Sequence, residues 1–233
     1  MPYSGSKFFS ILAWAGSNSG KFFYFCFPGK RKVRLRRRLP KMDKKMIITI
    51  ARQCGCGALH VGEILAKRYG VPLYTRKSLM DMAQRDGMQE EMGSFFEERP
   101  VDDLMEAITD YTYERNTVMD KFRKAFSGMI GNQDCIVIGR CGNYIFKGRK
   151  DLVSVFLHGD IALRISNIER EEHLGRREAE DFVRHTDDCR VSYHKFYTGL
   201  TWGNAPDYDI CIDLCRIGAE RTAQMIEEYI GKL

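Results

Sequence analysis

The first segment whose residues could do chemistry is a glycine-containing turn between an apolar run and an amphipathic run. The apolar run IITIAR (47–52) is followed by QCGCG and then by ALHVGEILAKRYG (58–70). A helix that begins after a strand can bind an anion, because its first backbone N–H groups have no partner within the helix. Gly55 and Gly57 would let the backbone approach a phosphate group closely. A strand, two glycines and a helix are a weak signal alone, since packing can also require such glycines.

The turn lacks the side chains that usually hold nucleotide phosphates. The pattern G-x-x-x-x-G-K-[ST] would place its first glycine at Arg52, its lysine at Ala58 and its hydroxyl at Leu59. Removal of one donor to a developing negative charge costs about 2.7–4 kcal/mol, or roughly a hundred- to a thousandfold in rate. Either other cations compensate for the missing lysine, or the site no longer catalyses.

The elements that would position this turn alternate along the chain. The run MIITIA (46–51) is apolar and rich in β-branched residues, which is typical of a strand covered on both faces. Residues 176–196 are interpreted as a charged helix that passes into a loop. Strands separated by helices imply crossover connections, so we expect one α/β domain over 46–233 with a mostly parallel sheet flanked by helices. Further strands are expected at 73–74, 134–139, 152–159 and 208–214, and helices at 58–69, 76–87, 101–130, 160–173 and 217–230.

The positive charge of the chain is concentrated at its N-terminus. Residues 1–45 carry 12 Lys or Arg and one acid, whereas the remainder carries 25 basic and 30 acidic residues, so the net charges are +11 and −5. The overall excess of +6 is therefore weak evidence for a nucleic-acid binder. We expect no specific nucleic-acid partner for the folded part.

Residues 1–45 form a basic extension with several interpretations. Its apolar runs at 8–16 and 22–27 are shorter than the roughly 18 residues of a spanning helix, so no transmembrane segment is expected. A signal peptide, a membrane-surface anchor and a nucleic-acid arm stay open as alternatives. We expect instead that the extension is disordered or lies outside the mature protein, which would begin at Met42 or Met46.

The eight cysteines show no C-x-x-C spacing and no paired metal-ligand spacing. Zinc is therefore not expected, and neither is any other metal held by protein side chains. Cys54 and Cys56 flank one residue, a spacing that is awkward for a disulfide. This cysteine usage indicates a reduced, cytoplasmic protein.

Four segments together resemble the cytidylate kinase-like family, a group similar to bacterial cytidylate kinase. They are IITIARQCGCGALHVGEILAKRYGVPLY, DCIVIGRCGNYI, HTDDCRVSYHKFYTG and WGNAPDYDICIDLCRIGAE, and the resemblance covers about 46–230. It implies the nucleoside-monophosphate kinase fold of the phosphate-loop NTPase superfamily, with a short helical lid. It also implies ATP and Mg²⁺ as cofactors, nucleotides as substrates, and transfer of the terminal phosphate to CMP, dCMP or a similar small acceptor.

The resemblance also implies which residues contact the phosphates of the donor. Family members usually show G-S-G-G followed by Arg or His, so a loop without lysine is a family habit. Cys56, Ala58 and Leu59 are departures of this chain from that pattern. The expected phosphate-binding residues are Arg52, Gly55, Cys56, Gly57 and Ala58.

Candidate residues on the acceptor side follow from the same resemblance. Arg140 matches the arginine of the family's G-R-D motif, which contacts the monophosphate substrate, while the aspartate of that motif is Cys141 here. Thr75 stands where cytidylate kinase has a substrate-side aspartate. Arg140 is therefore expected to have a catalytic and a substrate-binding role, and Thr75 a substrate-binding role.

The segment similar to the kinase lid supplies the remaining candidates. Arginines of such lids neutralise the phosphates during transfer, which depends mainly on positioning and charge. We expect catalytic roles for Arg190 and Asp187 and a substrate-binding role for Arg184. For Arg164, a role at the site and a structural ion pair are equally open. Four of the five histidines are interpreted as structural: His158, His173, His185 and His194. For His60, a contribution to phosphate binding and a solvated position on the helix are equally open.

A rival interpretation is a non-catalytic module that binds a nucleotide or phosphate for regulation. Ala58, Leu59, Thr75 and Cys141 favour it, since each replaces a residue that a working cytidylate kinase would use. The identity of the acceptor and the oligomeric state stay open at this point.

Overall fold

A parallel sheet lies at the centre of the fold in a computed structural model that describes residues 45–88, 95, 112–131 and 133–233. Within these residues the sheet has five strands in the order β2-β3-β1-β4-β5, and each pair of neighbours is parallel. This confirms the predicted α/β class. The strands are β1 (Ile47–Arg52), β2 (Leu73–Tyr74), β3 (Cys135–Ile138), β4 (Leu152–His158) and β5 (Ile210–Asp213).

Helices follow the strands and cover both faces of the sheet. They are α1 (Ala58–Tyr69), α2 (Arg76–Arg85), α3 (Thr112–Ile130), α4 (Gly142–Ile145), α5 (Ile161–Glu171), α6 (Arg176–Thr198), α7 (Leu214–Ile217) and α8 (Ala219–Ile230), and a 3₁₀ turn occupies Ala205–Asp207.

Most predicted elements are confirmed, and one interpretation is wrong. The expected loop within 176–196 is absent, because α6 is one continuous helix that ends at Gly199, a residue in the left-handed conformation with φ 71°. The predicted helix over 101–130 is confirmed from residue 112 onward, and 101–111 lie outside the described residues.

The alternation of side chains along β1 explains why both faces of the sheet are covered. Ile48 and Ile50 are fully buried against the face that carries α1 and α8, whereas Ile47 belongs to the core on the opposite face. Burial of one such side chain contributes about 1.5–3 kcal/mol relative to exposure. A strand with apolar residues on both faces is therefore stable only between two helical layers.

A crevice is expected beyond the carboxyl ends of β1 and β3, because the helices that follow these two strands leave toward opposite faces of the sheet. These two strands are neighbours in the sheet, yet α1 leaves β1 toward one face and α4 leaves β3 toward the other, since they belong to different apolar cores. Ligands of open α/β sheets bind where adjacent connections diverge in this way, outside the carboxyl ends of the strands.

None of the helices within the described residues has both the length and the hydrophobicity required to cross a bilayer.

Candidate active site

The loop between β1 and α1 contains two glycines that are required for different reasons. Gly55 and Gly57 have φ angles of 71° and 83°, in the left-handed region that favours glycine. A Cβ on Gly55 would also collide with the main-chain oxygen of Arg164 on α5. A Cβ on Gly57 would meet no atom within 4 Å. The loop is therefore packed against α5 at Gly55 and open at Gly57.

The N-terminus of α1 has the features of an anion site but no lysine or arginine in its first turn. Gly57 is its N-cap and makes no side-chain cap, and the first turn contains no acidic residue. Ala58 is buried at the position of the usual lysine, and Leu59 is 49% exposed at the position of the usual hydroxyl. Backbone N–H groups are therefore the main donors to a phosphate here, and His60, the third residue of the helix, lies 3.4 Å from Glu63.

The two loop cysteines are poorly suited to act as nucleophiles. The Cys56 thiol lies 3.8 Å from the main-chain oxygen of Leu157, and burial raises its pKa to about 12. Burial also raises the pKa of the Cys54 thiol. Both side chains are therefore neutral thiols at physiological pH, and Cys56 could contact a phosphate only through its backbone.

Helices α5 and α6 hold the start of the loop through a partly buried ion pair. The Asp187 carboxylate accepts the Cys54 N–H at 2.7 Å through Oδ1 and lies 2.6 Å from Arg164 Nη1 through Oδ2. Arg164 also donates to the main-chain oxygen of Cys54 at 3.2 Å. The contacts of Asp187 thus position the loop, and they give Arg164 a structural ion pair. A catalytic role for Asp187 stays a prediction.

Two further side chains fix the ends of the loop. Asn167 donates from Nδ2 to the main-chain oxygen of Gly55 at 2.8 Å. Arg190 donates from Nη1 to the main-chain oxygen of Arg52 at 3.2 Å, and the same nitrogen lies 3.6 Å from Asp187 Oδ1. Side chains from α5 and α6 therefore hold the backbone at Arg52, Cys54 and Gly55.

A small pocket lies next to this loop, beyond the carboxyl ends of β1 and β3. Its volume of about 30 Å³ is enough for roughly two or three water-sized groups. Its described lining contains three arginines and no Asp or Glu, so its electrostatic character is positive. The lining residues are Thr49, Ala51, Arg52, residues 139–143, Arg190, Tyr193, His194 and Trp202.

Arg140 enters the pocket from a strained turn after β3. Gly139, Arg140 and Cys141 have φ angles of 76°, 56° and 50°. Non-glycine residues with positive φ are uncommon, and such strain tends to occur at functional sites. Arg140 is 2% exposed, donates from Nη1 to the main-chain oxygen of Phe95 at 3.3 Å, and lies 4.9 Å from the centre of the Tyr193 ring. These contacts hold the guanidinium in one place.

Gly139 also allows Arg52 to reach the same pocket. A Cβ on Gly139 would collide with Nη1 of Arg52, so the guanidinium crosses directly above this glycine. Arg52, Arg140 and Arg190 therefore come together although they lie on three different elements. The prediction from the sequence named all three residues.

His194, Thr49 and Trp202 line the pocket and were not predicted as site residues. His194 was interpreted as structural, yet it is 3% exposed with Nδ1 3.6 Å from the Cys141 thiol. Burial lowers its pKa to about 4, so the imidazole is neutral. A signal existed in the sequence, because His194 follows Arg190 by four residues and therefore shares its face of α6.

Two predicted substrate residues lie outside the lining of this pocket. Thr75 is the N-cap of α2, where its side chain accepts the Ser78 N–H. Arg184 is exposed on α6 and forms an ion pair with Glu180 at 2.8 Å. Substrate binding by Thr75 or Arg184 stays a prediction.

Comparisons with known proteins agree with this architecture. The sequence profile of the cytidylate kinase-like family matches residues 47–215, most of the described part. The fold and its loop therefore define a kinase-like α/β protein, and the chain belongs to the cytidylate kinase-like family. No curated protein sequence matches the chain.

One solved structure has the same fold at low sequence identity, and two kinases are similar at lower TM-scores. An uncharacterized protein from Eubacterium ventriosum is 23% identical with a TM-score of 0.62, over 81% of this chain and 100% of that chain. A shikimate kinase from Acinetobacter baumannii in complex with shikimate is 13% identical with a TM-score of 0.46, over 81% and 94% of the two chains. A gluconokinase from Sinorhizobium meliloti is 14% identical with a TM-score of 0.40, over 80% and 99%.

Proposed function

We propose that this protein transfers the terminal phosphate of ATP to a small anionic acceptor, of which a nucleoside monophosphate such as CMP or dCMP is the first candidate. The observation that carries the proposal is the meeting of Arg52, Arg140 and Arg190 in one pocket beside an open glycine loop. Phosphoryl transfer requires mainly positioning and neutralisation of charge. Arginines aimed at one small volume supply both.

The glycine loop suits the phosphates of the donor. Gly57 leaves space on the outer side of the loop, and the N-terminus of α1 has no side-chain cap that would compete for its N–H groups. Backbone N–H groups of residues 55–58 would bind the donor phosphates there. Arg52, at the start of the loop, would neutralise part of their charge.

The ligands of Mg²⁺ would be mainly substrate phosphates and water, and less the side chains of this protein. Leu59 offers no oxygen ligand, and no group of three or more His, Cys, Asp or Glu residues with metal-binding geometry occurs in the described residues. Mg²⁺ commonly keeps several waters and binds through substrate phosphates. When bound with ATP, it supplies neutralisation of the charge between donor phosphates.

On the acceptor side, Arg140 would hold the phosphate that receives the new group. Its guanidinium is fixed by Phe95 and Tyr193, so it is oriented before the acceptor arrives. An acceptor phosphate is already anionic at neutral pH. A general base is therefore not required, in agreement with the absence of Asp and Glu from the described lining of the pocket.

Arg190 would stabilise the group in transfer. It lies between the two halves of the site, since it donates to the loop at Arg52 and also lines the pocket with Arg140. Arginine binds phosphate oxygens with a planar fork of donors, which lysine cannot reproduce.

A second candidate function is a module that binds a nucleotide or phosphate without turnover. Buried Ala58 and exposed Leu59 favour it, because neither side chain brings the charge or the hydroxyl that a phosphate loop usually supplies to the donor phosphates. The two functions share the same pocket and differ only in whether the phosphate bond breaks.

The test is an assay of diphosphate formation by the full chain with ATP, Mg²⁺ and a panel of nucleoside monophosphates. Arg140→Lys and Arg190→Lys keep the charge and remove the fork, and both should reduce turnover by roughly a hundredfold or more. Arg177→Ala, an exposed position on the same helix as Arg190, is the matched control and should keep full turnover. Binding of ATP without turnover on any acceptor would favour the module.

A further inference from the structure

Two neutral side chains that line the pocket each have a buried polar atom without a hydrogen-bond partner within the described residues. These atoms are the Thr49 hydroxyl and His194 Nε2. Thr49 is 2% exposed and His194 is 3% exposed. Buried polar atoms are nearly always paired, because an unpaired one costs about 1–3 kcal/mol. Two such atoms in one small cavity indicate a ligand that completes them.

The contact of His194 with Cys141 determines whether Nε2 is a hydrogen-bond donor or an acceptor toward that ligand. Nδ1 lies 3.6 Å from the Cys141 thiol. A neutral imidazole nitrogen is a good acceptor, whereas thiol sulfur is a weak one, so the S–H group donates to Nδ1. The ring proton is then on Nε2, which is a donor toward the pocket.

The Thr49 hydroxyl is placed by β1 and by the turn after β3. Thr49 pairs in register with Val137 of β3, and its methyl group packs so closely that a Cβ on Gly142 would lie 2.9 Å from Thr49 Cγ2. This packing on the methyl side fixes the rotamer of a β-branched residue. The hydroxyl can therefore donate to a group in the pocket without reorganisation.

We propose that Thr49 and His194 determine the specificity of the acceptor site, as two neutral donors to the oxygens of a phosphate group held by the pocket arginines. This inference deepens the proposed function and rests on it for the identity of the bound group as the acceptor phosphate. Arg140 supplies charge at this phosphate, with Arg52 and Arg190 in the same pocket lining, and the two neutral donors fix its orientation. A phosphate with several acceptor oxygens can satisfy all of them, whereas the single hydroxyl of a neutral acceptor cannot.

The experiment measures binding to the full chain without ATP. The chain has two tryptophans, Trp14 and Trp202, and Trp202 lines the pocket. In a Trp14→Phe background, the fluorescence of Trp202 is followed during titration with inorganic phosphate, CMP and cytidine at constant ionic strength. Phosphate and CMP should both change the signal, and cytidine, which has no phosphate, should bind far more weakly.

The variants separate a lost donor from a lost fold. Thr49→Val removes the hydroxyl at nearly constant shape, and His194→Asn removes the donor at Nε2. Each should weaken phosphate and CMP by roughly tenfold or more. His194→Gln places an amide donor near Nε2 and should stay within about threefold of the parent. The matched control is Thr222→Val, which should not change the affinity. Thr222 is a buried threonine on α8, and its hydroxyl donates to the main-chain oxygen of Gly218.

Three results would overturn the inference. They are parental affinity in both Thr49→Val and His194→Asn, no binding of phosphate or CMP by the parent, and equal losses in His194→Gln and His194→Asn. Because the binding experiment contains no ATP, its result does not depend on phosphotransfer, which the diphosphate assay measures separately. Phosphate binding that depends on Thr49 and His194 without any turnover would keep this inference and reject catalysis.

Discussion

The glycine loop and the neighbouring pocket differ in how their polar groups are satisfied. At the loop, Asp187 pairs with Arg164 and accepts the Cys54 N–H, and Asn167 binds the Gly55 carbonyl. In the pocket, the Thr49 hydroxyl and His194 Nε2 have no partner within the described residues. The loop is thus held in shape by the protein itself, whereas we propose that a bound phosphate group completes the pocket. Preorganised backbone on one side and open donors on the other suit a donor and an acceptor of phosphate.

Loss of the loop clamp, which consists of the Asp187 contacts with Arg164 and the Cys54 N–H, should have the largest effect on the free energy of unfolding. Asp187→Ala leaves the Arg164 guanidinium buried without its carboxylate, at side-chain exposures of 7% and 16% for the pair. Removal of one partner of a buried pair costs about 3–5 kcal/mol in the free energy of unfolding. Urea denaturation measures it. Glu180→Ala, which breaks the exposed pair with Arg184, should cost less than about 1 kcal/mol, and equal costs for the two variants would contradict the clamp.

The second-largest effect is expected on the pH dependence of the free energy of unfolding, through His194 in the pocket lining. Burial lowers the pKa of His194 from 6.5 to about 4, against a smaller opposite effect of Asp207, and Arg140 and Arg190 line the same pocket. The unfolded chain therefore binds a proton between these pH values that the folded chain excludes. Stability should be complete above pH 6.5 and should fall by about 3 kcal/mol as the pH drops to 4.

His194→Gln supplies the check on this pH dependence. The variant has no titrating ring, so its free energy of unfolding should lose the part of the slope between pH 6.5 and 4 that belongs to His194. Urea denaturation at several pH values compares the two chains. A slope unchanged by the substitution would show that His194 is not the group that titrates.

A smaller effect of opposite sign should appear at Thr49. Thr49→Val replaces a buried hydroxyl without a described partner by a methyl group, so the free energy of unfolding without ligand should stay equal or rise by about 1 kcal/mol. Thermal melting without phosphate measures it. A loss of more than about 1 kcal/mol would show that the hydroxyl is already satisfied within the protein.

The smallest effect is expected at the surface of α6. Arg184 is exposed, and its ion pair with Glu180 spans one helical turn. Arg184→Ala should change the free energy of unfolding by no more than about 0.5 kcal/mol. Urea denaturation measures the change, and a larger loss would place Arg184 in a contact of greater weight than its pair with Glu180.

The parts of the fold that could be predicted are those with a local cause. The limits of α1 follow from Gly57 and Gly70, which both adopt left-handed conformations at its ends. The run 46–51 predicted β1 because a continuous apolar run with β-branched residues is stable only between two helical layers. Helix α4 was missed, since four residues between two turns carry no periodic pattern.

The candidate site could be predicted only where a residue matches a local motif. Arg140 and the loop were predicted in this way, from the turn after β3 and the turn after β1. The position of His194 in the pocket lining was not predicted, because its contact with Cys141 joins residues 53 positions apart. The structural role of Arg164 likewise depends on Asp187, 23 positions away on another helix. Such pairs arise from the packing of α5 and α6 and have no signature in one sequence.

Phosphotransfer that depends on Arg140 is measured by the rate at which the full chain forms diphosphate from CMP with ATP and Mg²⁺, compared with the rate of Arg140→Lys. We expect measurable turnover by the parent and a loss of roughly a hundredfold or more in the variant, with parental ATP binding. Equal rates for the two chains would contradict this expectation, and so would the absence of turnover with CMP and with every other nucleoside monophosphate.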